Sequence, residues 1–268
     1  MERFTLNEIT PQRLIGAVAR RAEDVPHALA WRFSPWAARN RARLEALHDI
    51  HRGERCVIMA NGPSLREADF SLIKDEYTFG MNRIYLLFEQ MGFTPSYYGA
   101  SNTIVIDQFP DDIRKLPMPA FLNWNSRRWF DPADDDKLFF RIAMKLFDTF
   151  STDITQPITG GATITYVTLQ IAYYLGFEEA IIIGLDHSFA EKGTPNTVEV
   201  RTQSQDQSHF APNYFEKGIV WQLPDLRRSE LAYAIAREAY ERAGRRIIDA
   251  TPGGLCTVFE KARLEDVL

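Results

Sequence analysis

From residue 54 onward, short apolar runs alternate with longer segments of helical period. Strands are expected near 55–60, 77–80, 96–100, 119–123, 180–185 and 246–249. Each is a brief run rich in Val, Ile, Phe or Tyr, and several end at Gly, Pro, Asn or Asp. Helices are expected near 83–91, 162–176, 226–243 and 258–264. In 162–176, Ile164, Val167, Thr168, Ile171, Ala172 and Leu175 fall on one helical face. Strands that alternate with helices predict an α/β fold, a Rossmann-like, doubly wound and mainly parallel sheet. Two stretches interrupt the alternation. Residues 124–156 carry Trp124, Arg127, Arg128, Trp129, the acidic run Asp134 to Asp136, Phe139 and Phe140, and are expected to add a strand, a lid or both. Residues 188–225 have no clear period and read as a long, ordered, lid-like loop over a substrate.

The first 53 residues read as a separate N-terminal helical arm, followed by a Rossmann-like domain over 54–268. The arm holds nine Arg and six acidic residues, with Trp31, Phe33 and Trp36 near its middle. Thr10-Pro11 and Ser34-Pro35 have the form of a helix cap followed by a first-turn proline. The second helix is expected to run to about Ile50, with Leu44, Leu47 and Ile50 on one side and Gly53 as its stop. Such an arm either packs on the core or on a second subunit, making a homo-oligomer, or touches an anionic membrane surface.

The chain has 268 residues, 45% of them hydrophobic and 25% charged, enough for one large core. A net charge of −5 argues against general nucleic-acid binding. Cys56 falls in the first expected strand, far from Cys256, so a buried free thiol is expected and no zinc spacing exists. No apolar run is long enough to span a membrane, and no signal-peptide pattern or internal repeat is visible. A cytoplasmic location is expected, with any membrane contact peripheral and at the inner face.

Four constellations carry candidate chemistry. Asn61-Gly62-Pro63-Ser64 ends the first strand in a tight turn, leaving the Ser64 hydroxyl free and backbone N–H groups able to approach a phosphate. Thr159-Gly160-Gly161 precedes a helix; Thr159 would cap it, and the glycines would leave its first N–H groups open to an anion. The alternatives are an ordinary turn and a glycine pair needed for close packing. Asp186 and His187 end the strand 180–185; Asp186 suits ribose hydroxyls or a metal, and His187 suits either a ligand or the orientation of its loop. His209, in a polar loop, has the chemistry of a general base or of a plain surface residue. Asn82 and Asp249 end strands at the same sheet edge, and Asn82 can both donate and accept. His27, His48 and His51 have no ligand spacing and are expected at the surface.

Asn61-Gly62-Pro63-Ser64-Leu65, Asn82, Thr159-Gly160-Gly161, Gly184-Leu185-Asp186 and Ser208-His209-Phe210 occur in an order that resembles two related groups. One is the bacterial family 42 sialyltransferases. The other is the broad 6-hydroxymethylpterin diphosphokinase MptE-like group, to which Phe79-Gly80-Met81-Asn82-Arg83-Ile84-Tyr85 and Gly193-Thr194-Pro195-Asn196 bring the chain closer. The resemblance covers roughly residues 54 to 255. It implies a nucleotide-dependent transferase, with Asn61, Gly62, Ser64, Gly160 and Gly161 holding a CMP-type donor, Asn82 beside them, and His209 as base on an acceptor hydroxyl. It also implies a setting in surface polysaccharide or glycoconjugate synthesis. Gly160 stands where the sialyltransferases use Ser, Pro157 where they have Arg, Ser101 (with Asn102 adjacent) where they have Asn, and Ser188 where a Tyr carries the donor phosphate.

Three functions follow as expectations. The first is a glycosyltransferase taking a nucleotide-activated sugar, such as a CMP-linked keto-sugar acid, to a glycan or small alcohol without obligatory metal. The second is a pterin-type diphosphokinase using ATP and Mg²⁺ held by Asp186 or Asp249, although no Walker-type loop is present. The third is a non-catalytic nucleotide or sugar-phosphate sensor.

Overall fold

The computed structural model describes residues 11–189, 193–202 and 206–268. Thr10, the expected cap of the first helix, lies outside the described residues. The arm supplies α1 (Pro11–Phe33) and α2 (Pro35–Glu45). The sheet strands in the first half are β1 (Arg55–Met59), β2 (Tyr77–Met81), β3 (Tyr97–Ala100), β4 (Ala120–Asn123) and β5 (Lys137–Phe140). Short helices α3 (Phe88–Met91), α4 (Thr103–Gln108) and α5 (Pro110–Arg114) connect them. Then follow α6 (Ile164–Leu175), β6 (Glu179–Ile183), an antiparallel pair β7 (Val198–Val200) and β8 (Val220–Gln222), α7 (Leu226–Arg242), β9 (Arg246–Asp249), β10 (Glu260–Lys261) and α8 (Leu264–Val267).

Eight strands form one parallel sheet in the order β10-β9-β6-β1-β2-β3-β4-β5. This is the Rossmann-like doubly wound α/β fold. Both faces are covered, which is why the central strands read as unbroken apolar runs. Val57, Met59, Ile181 and Ile183 feed one core together with α3, α4 and α5; Cys56, Ile58, Ala180 and Ile182 feed the other with α6 and α7. The six expected strands are all present, and residues 124–156 add β5. Every residue of α6 except Tyr173 is buried. Its outer side is covered in turn by Phe150 and by the last turn of α2, where the Tyr174 hydroxyl donates to Leu44 O.

Three expectations are corrected. The second helix stops at Glu45 rather than Ile50, because the amides of Asp49 and His51 turn away to the last carbonyls of α6, at Tyr174 and Leu175. Ile50 is left exposed. Residues 258–264 are not a helix: the open edge of β9 takes up Glu260 and Lys261 as a further strand. His51 is buried, not at the surface; its ring bonds Glu54 and the Tyr97 hydroxyl and stacks on Phe177.

Helix α2 is seated by its own sequence. The Ser34 hydroxyl accepts from Ala37 N, and Pro35 occupies the first turn. Asn40 then acts as a substitute strand on the outer edge of β5: its amide donates to Phe139 O and accepts from Phe139 N, both at 2.8 Å. Trp31 and Trp36 close edge-on around Trp124. Asp24 pairs with Arg141 just after β5, whereas Arg43 reaches Asp134 and Asp135 just before it. The arm therefore runs antiparallel to β5, and the part of α1 before Asp24 extends past the carboxyl edge of the sheet.

Candidate functional site

The strand order reverses between β1 and β6, and ligands of open α/β sheets bind outside the carboxyl ends of strands at such a point. A cavity of about 460 Å³ lies there. Of the residues singled out from sequence, Asn61, Gly62, Asn82, Ser101, Asn102, Gly160, Asp186, His187 and His209 line it. Pro63, Ser64, Thr159, Gly161 and Asp249 do not.

The Asn61-Gly62-Pro63-Ser64 turn is a bracket and not a phosphate cradle. Its donors are already engaged: Gly62 N bonds Gly184 O at 2.9 Å, Ser64 N bonds Asp186 Oδ1 at 3.2 Å, and Leu65 N bonds Gly62 O at 3.1 Å. The Ser64 hydroxyl is not free either; it donates to Asp186 Oδ2 at 2.7 Å. An anionic carboxylate occupies the place a phosphate would need, and it fits because residue 62 has no side chain. The same turn holds the opposite wall. Asn61 O accepts from Phe210 N, and Arg66 donates to the carbonyls of His209 and Phe210. One motif thus fixes both Asp186 and the His209 loop.

His209 has a partner that sequence reasoning missed. Its Nδ1 lies 2.9 Å from Asp206 Oδ2. An ionised carboxylate only accepts, so Nδ1 donates and Nε2 is left as an acceptor. The amides of Ser208 and His209 also donate to Asp206 Oδ1. Burial is the largest influence on the Asp206 carboxyl and raises its pKa, but His209, the Ser208 amide and Arg201 together outweigh it and hold the carboxyl below its usual range. The imidazole lies flat on Tyr214, 4.2 Å away and 3° from parallel, with Phe215 edge-on. The visible signal was the Asp three residues before the His, a spacing that closes a local side-chain turn.

On the far wall, the expected helix cap is corrected. Thr163, not Thr159, caps α6, accepting from Thr165 N at 3.2 Å. Thr159 is buried and exchanges hydrogen bonds with the Thr149 backbone. The Gly161 amide is not open to an anion, since it donates to Asp148 Oδ1 at 3.2 Å. Asp148 is also held by Arg228 of α7, at 2.7 Å; burial is the largest influence and raises its pKa, but Arg228, the Gly161 amide and Thr159 together keep the carboxyl below the ordinary range. Among the described residues, Arg228 is the one Arg or Lys lining the cavity, and Asp186 the one carboxylate.

His187 turns away to Glu230 at 3.1 Å, the loop-orienting role. Asn102 caps α4 through Ile104 N, and the Ser101 carbonyl accepts from Asn123. Asn82, Ala162 and His187 hold left-handed backbone at φ 50°, 60° and 56°. Such conformations in non-glycine residues concentrate at functional sites. Asp249, expected at the site, lies outside it; it is fully buried and paired with Lys261 at 2.5 Å. Of the two carboxylates expected for magnesium, Asp249 is bound to Lys261 and lies outside the cavity, and Asp186, on the cavity wall, accepts from Ser64. No group of three His, Cys, Asp or Glu able to hold a metal occurs among the described residues.

The chain is thus a Rossmann-like doubly wound α/β protein with a polar cavity at the switch point of its sheet. The chain belongs to the 6-hydroxymethylpterin diphosphokinase MptE-like family, whose model matches residues 37–192. That match starts inside α2, earlier than the resemblance read from motifs, and ends before the β7–β8 hairpin. Among solved structures, the MAf glycosyltransferase from Magnetospirillum magneticum AMB-1 is similar, with 13% identity and a TM-score of 0.47, over 84% of this chain and 38% of that one. No curated protein matches. No described helix is long and apolar enough to cross a membrane.

Proposed function

We propose that the protein is a group-transfer enzyme that holds a nucleotide-activated donor in the switch-point cavity and passes the activated group, a sugar, to an acceptor hydroxyl. The observation that carries this reading is His209 on the cavity wall, with Asp206 bonded to its Nδ1. The acceptor O–H gives its proton to His209 Nε2, and Asp206 stabilises the imidazolium so formed. The acceptor oxygen bonds to the donor's anomeric carbon, and the nucleotide phosphate leaves with the electron pair of the broken bond. Arg228 and the first turns of α6 and α7 line the cavity and would be the positive elements available to that leaving group. Neutral groups make up most of the polar wall, with six amides, at Asn61, Asn82, Asn102, Asn123, Asn196 and Gln222, among Ser, Thr and Tyr hydroxyls, and they suit a base and sugar hydroxyls better than a run of phosphates. This favours a donor with a single phosphate, of the CMP type.

The family's name supports a second reading, pyrophosphoryl transfer from ATP to an alcohol. The test is a melting-temperature screen with CMP, CDP, UDP, GDP, ADP and ATP, each with and without Mg²⁺, followed by transfer assays with the stabilising donor. Stabilisation by CMP or CTP without metal supports sugar transfer. Stabilisation by ATP only with Mg²⁺ supports the diphosphokinase. No stabilisation by any of them removes both.

A further inference from the structure

The segment between β5 and α6 leaves one wall of the cavity and carries an apolar tip into solvent. Ile142 and Ala143 line the cavity, while Leu146 and Phe147 immediately after them are 81% and 74% exposed. Met144 is also exposed, and Lys145 stands between it and Leu146. The tip is held from both ends. Ala143 N donates to Ile158 O, and Asp148 is locked by Arg228 and Gly161. Adjacent bulky apolar side chains held out on a pinned loop mark an interaction site.

A second apolar feature leaves the body at the same sheet edge. Asp24 of α1 is tied to Arg141, the residue before Ile142. One turn further on, His27 seats α1 on Trp124 and Arg127, which follow the carboxyl end of β4. Val18, Ala22, Val25 and Leu29, at helical spacing, form an exposed stripe on it. The arm bearing this stripe has nine Arg against six acidic residues, in a chain whose net charge is −5. The arm is thus positive where the chain as a whole is negative.

We infer that this edge docks on an anionic phospholipid bilayer, with Leu146 and Phe147 entering the headgroup boundary and the stripe of α1 lying along it. Apolar side chains supply insertion, and the basic arm with Lys145 supplies attraction to anionic headgroups. The cavity mouth then opens toward the membrane. Delivery of lipid-borne acceptors is a consequence that rests on the transferase reading, whereas the docking itself does not.

The test is co-sedimentation of the full chain with phosphatidylcholine vesicles, with and without phosphatidylglycerol. The expected result is capture by the anionic vesicles, weakened by salt. Leu146→Glu/Phe147→Glu and, separately, Val25→Glu/Leu29→Glu should each weaken capture by roughly tenfold or more. All four side chains are exposed, so melting temperature and nucleotide-induced shifts should stay at wild-type values in both variants. No capture of the wild-type chain, or capture of both variants as strong as that of the wild type, overturns the inference. So does a dimer, seen by sedimentation velocity, that Val25→Glu/Leu29→Glu dissolves while vesicles capture nothing. A nucleotide shift retained by a chain that ignores vesicles would leave the transferase reading standing alone.

Discussion

The Asp186 carboxylate rests directly on Gly62: a Cβ at residue 62 would stand 1.9 Å from Asp186 Oδ2 and 2.6 Å from Gly184 O. A methyl group there has nowhere to go. Gly62→Ala is expected to cost about 1–3 kcal/mol, read as a lower melting temperature. Adding Asp186→Ala should recover only part of it, because the Gly184 carbonyl still blocks the site. Ser64→Ala removes one hydrogen bond to a charged group and should cost about 1–2 kcal/mol. Wild-type stability in Gly62→Ala would show that the bracket does not exist.

His209→Asn keeps a polar side chain but cannot take up a proton. On the transferase reading it should lower kcat by about 10²–10⁴-fold while leaving the nucleotide-induced melting shift intact. Loss of the shift along with the rate would make His209 a binding residue, and an unchanged rate would remove it from the mechanism.

Asp206 makes a separate prediction about acid stability. Its folded pKa lies below the free value of 3.8. The unfolded chain therefore binds the proton first as pH falls. The stabilisation is complete above the free value and is lost as pH drops through the lower folded one. Asp148, held by Arg228, behaves in the same sense. Denaturant titrations from pH 6 down to pH 3 should show wild-type stability falling, and Asp206→Asn should fall less steeply over the same range. Parallel curves would contradict the shift.

The central strands were legible because burial on both faces demands unbroken apolar runs, as in Val57-Ile58-Met59 and Ile181-Ile182-Ile183. The cavity was legible because strand ends at a switch point converge whatever the detail, and nine expected residues line it. What the residues do there was less legible. Whether an N–H faces a ligand or a neighbouring carbonyl is a tertiary fact. Gly62 and Gly161 look like phosphate turns in sequence, yet Gly184 and Asp148 take their amides. Asp206 escaped notice because its value lies in one bond to His209. The family match establishes kinship over 37–192, but says nothing of the loop that carries His209.

Asn40 offers a test of the arm's attachment. Its amide satisfies both backbone groups of Phe139 on the open edge of β5 and is itself fully buried. Asn40→Ala strands a buried donor and a buried acceptor at once, for an expected loss of about 2–4 kcal/mol. Hydrogen exchange at the Phe139 amide should accelerate more than exchange at Ile58 in the sheet centre. Asn40→Asp keeps the acceptor for Phe139 N but opposes a carboxylate to Phe139 O, so it should be at least as damaging.

The glycine pair before α6 separates ligand contact from packing. Gly161 has φ 56°, and a Cβ on it would lie 2.5 Å from Tyr166 Cδ1 and 2.7 Å from Ala232 Cβ. Gly160 has no positive φ, and its Cβ would meet only the end of Ile142, at 3.4 Å. Both glycines would matter equally if the pair were a phosphate cradle. In this packing they differ. Gly161→Ala combines backbone strain with two clashes and should cost about 2–4 kcal/mol. Gly160→Ala should leave the melting temperature within about 1 kcal/mol of wild type, because Ile142 at the cavity rim can shift by a few tenths of an ångström. Its effect should appear instead in ligand affinity, since Gly160 faces the cavity and Gly161 does not. Equal stability losses in the two variants would refute the division of labour. An unchanged nucleotide affinity in Gly160→Ala would place the donor on the opposite wall, against Asn61 and Asn82.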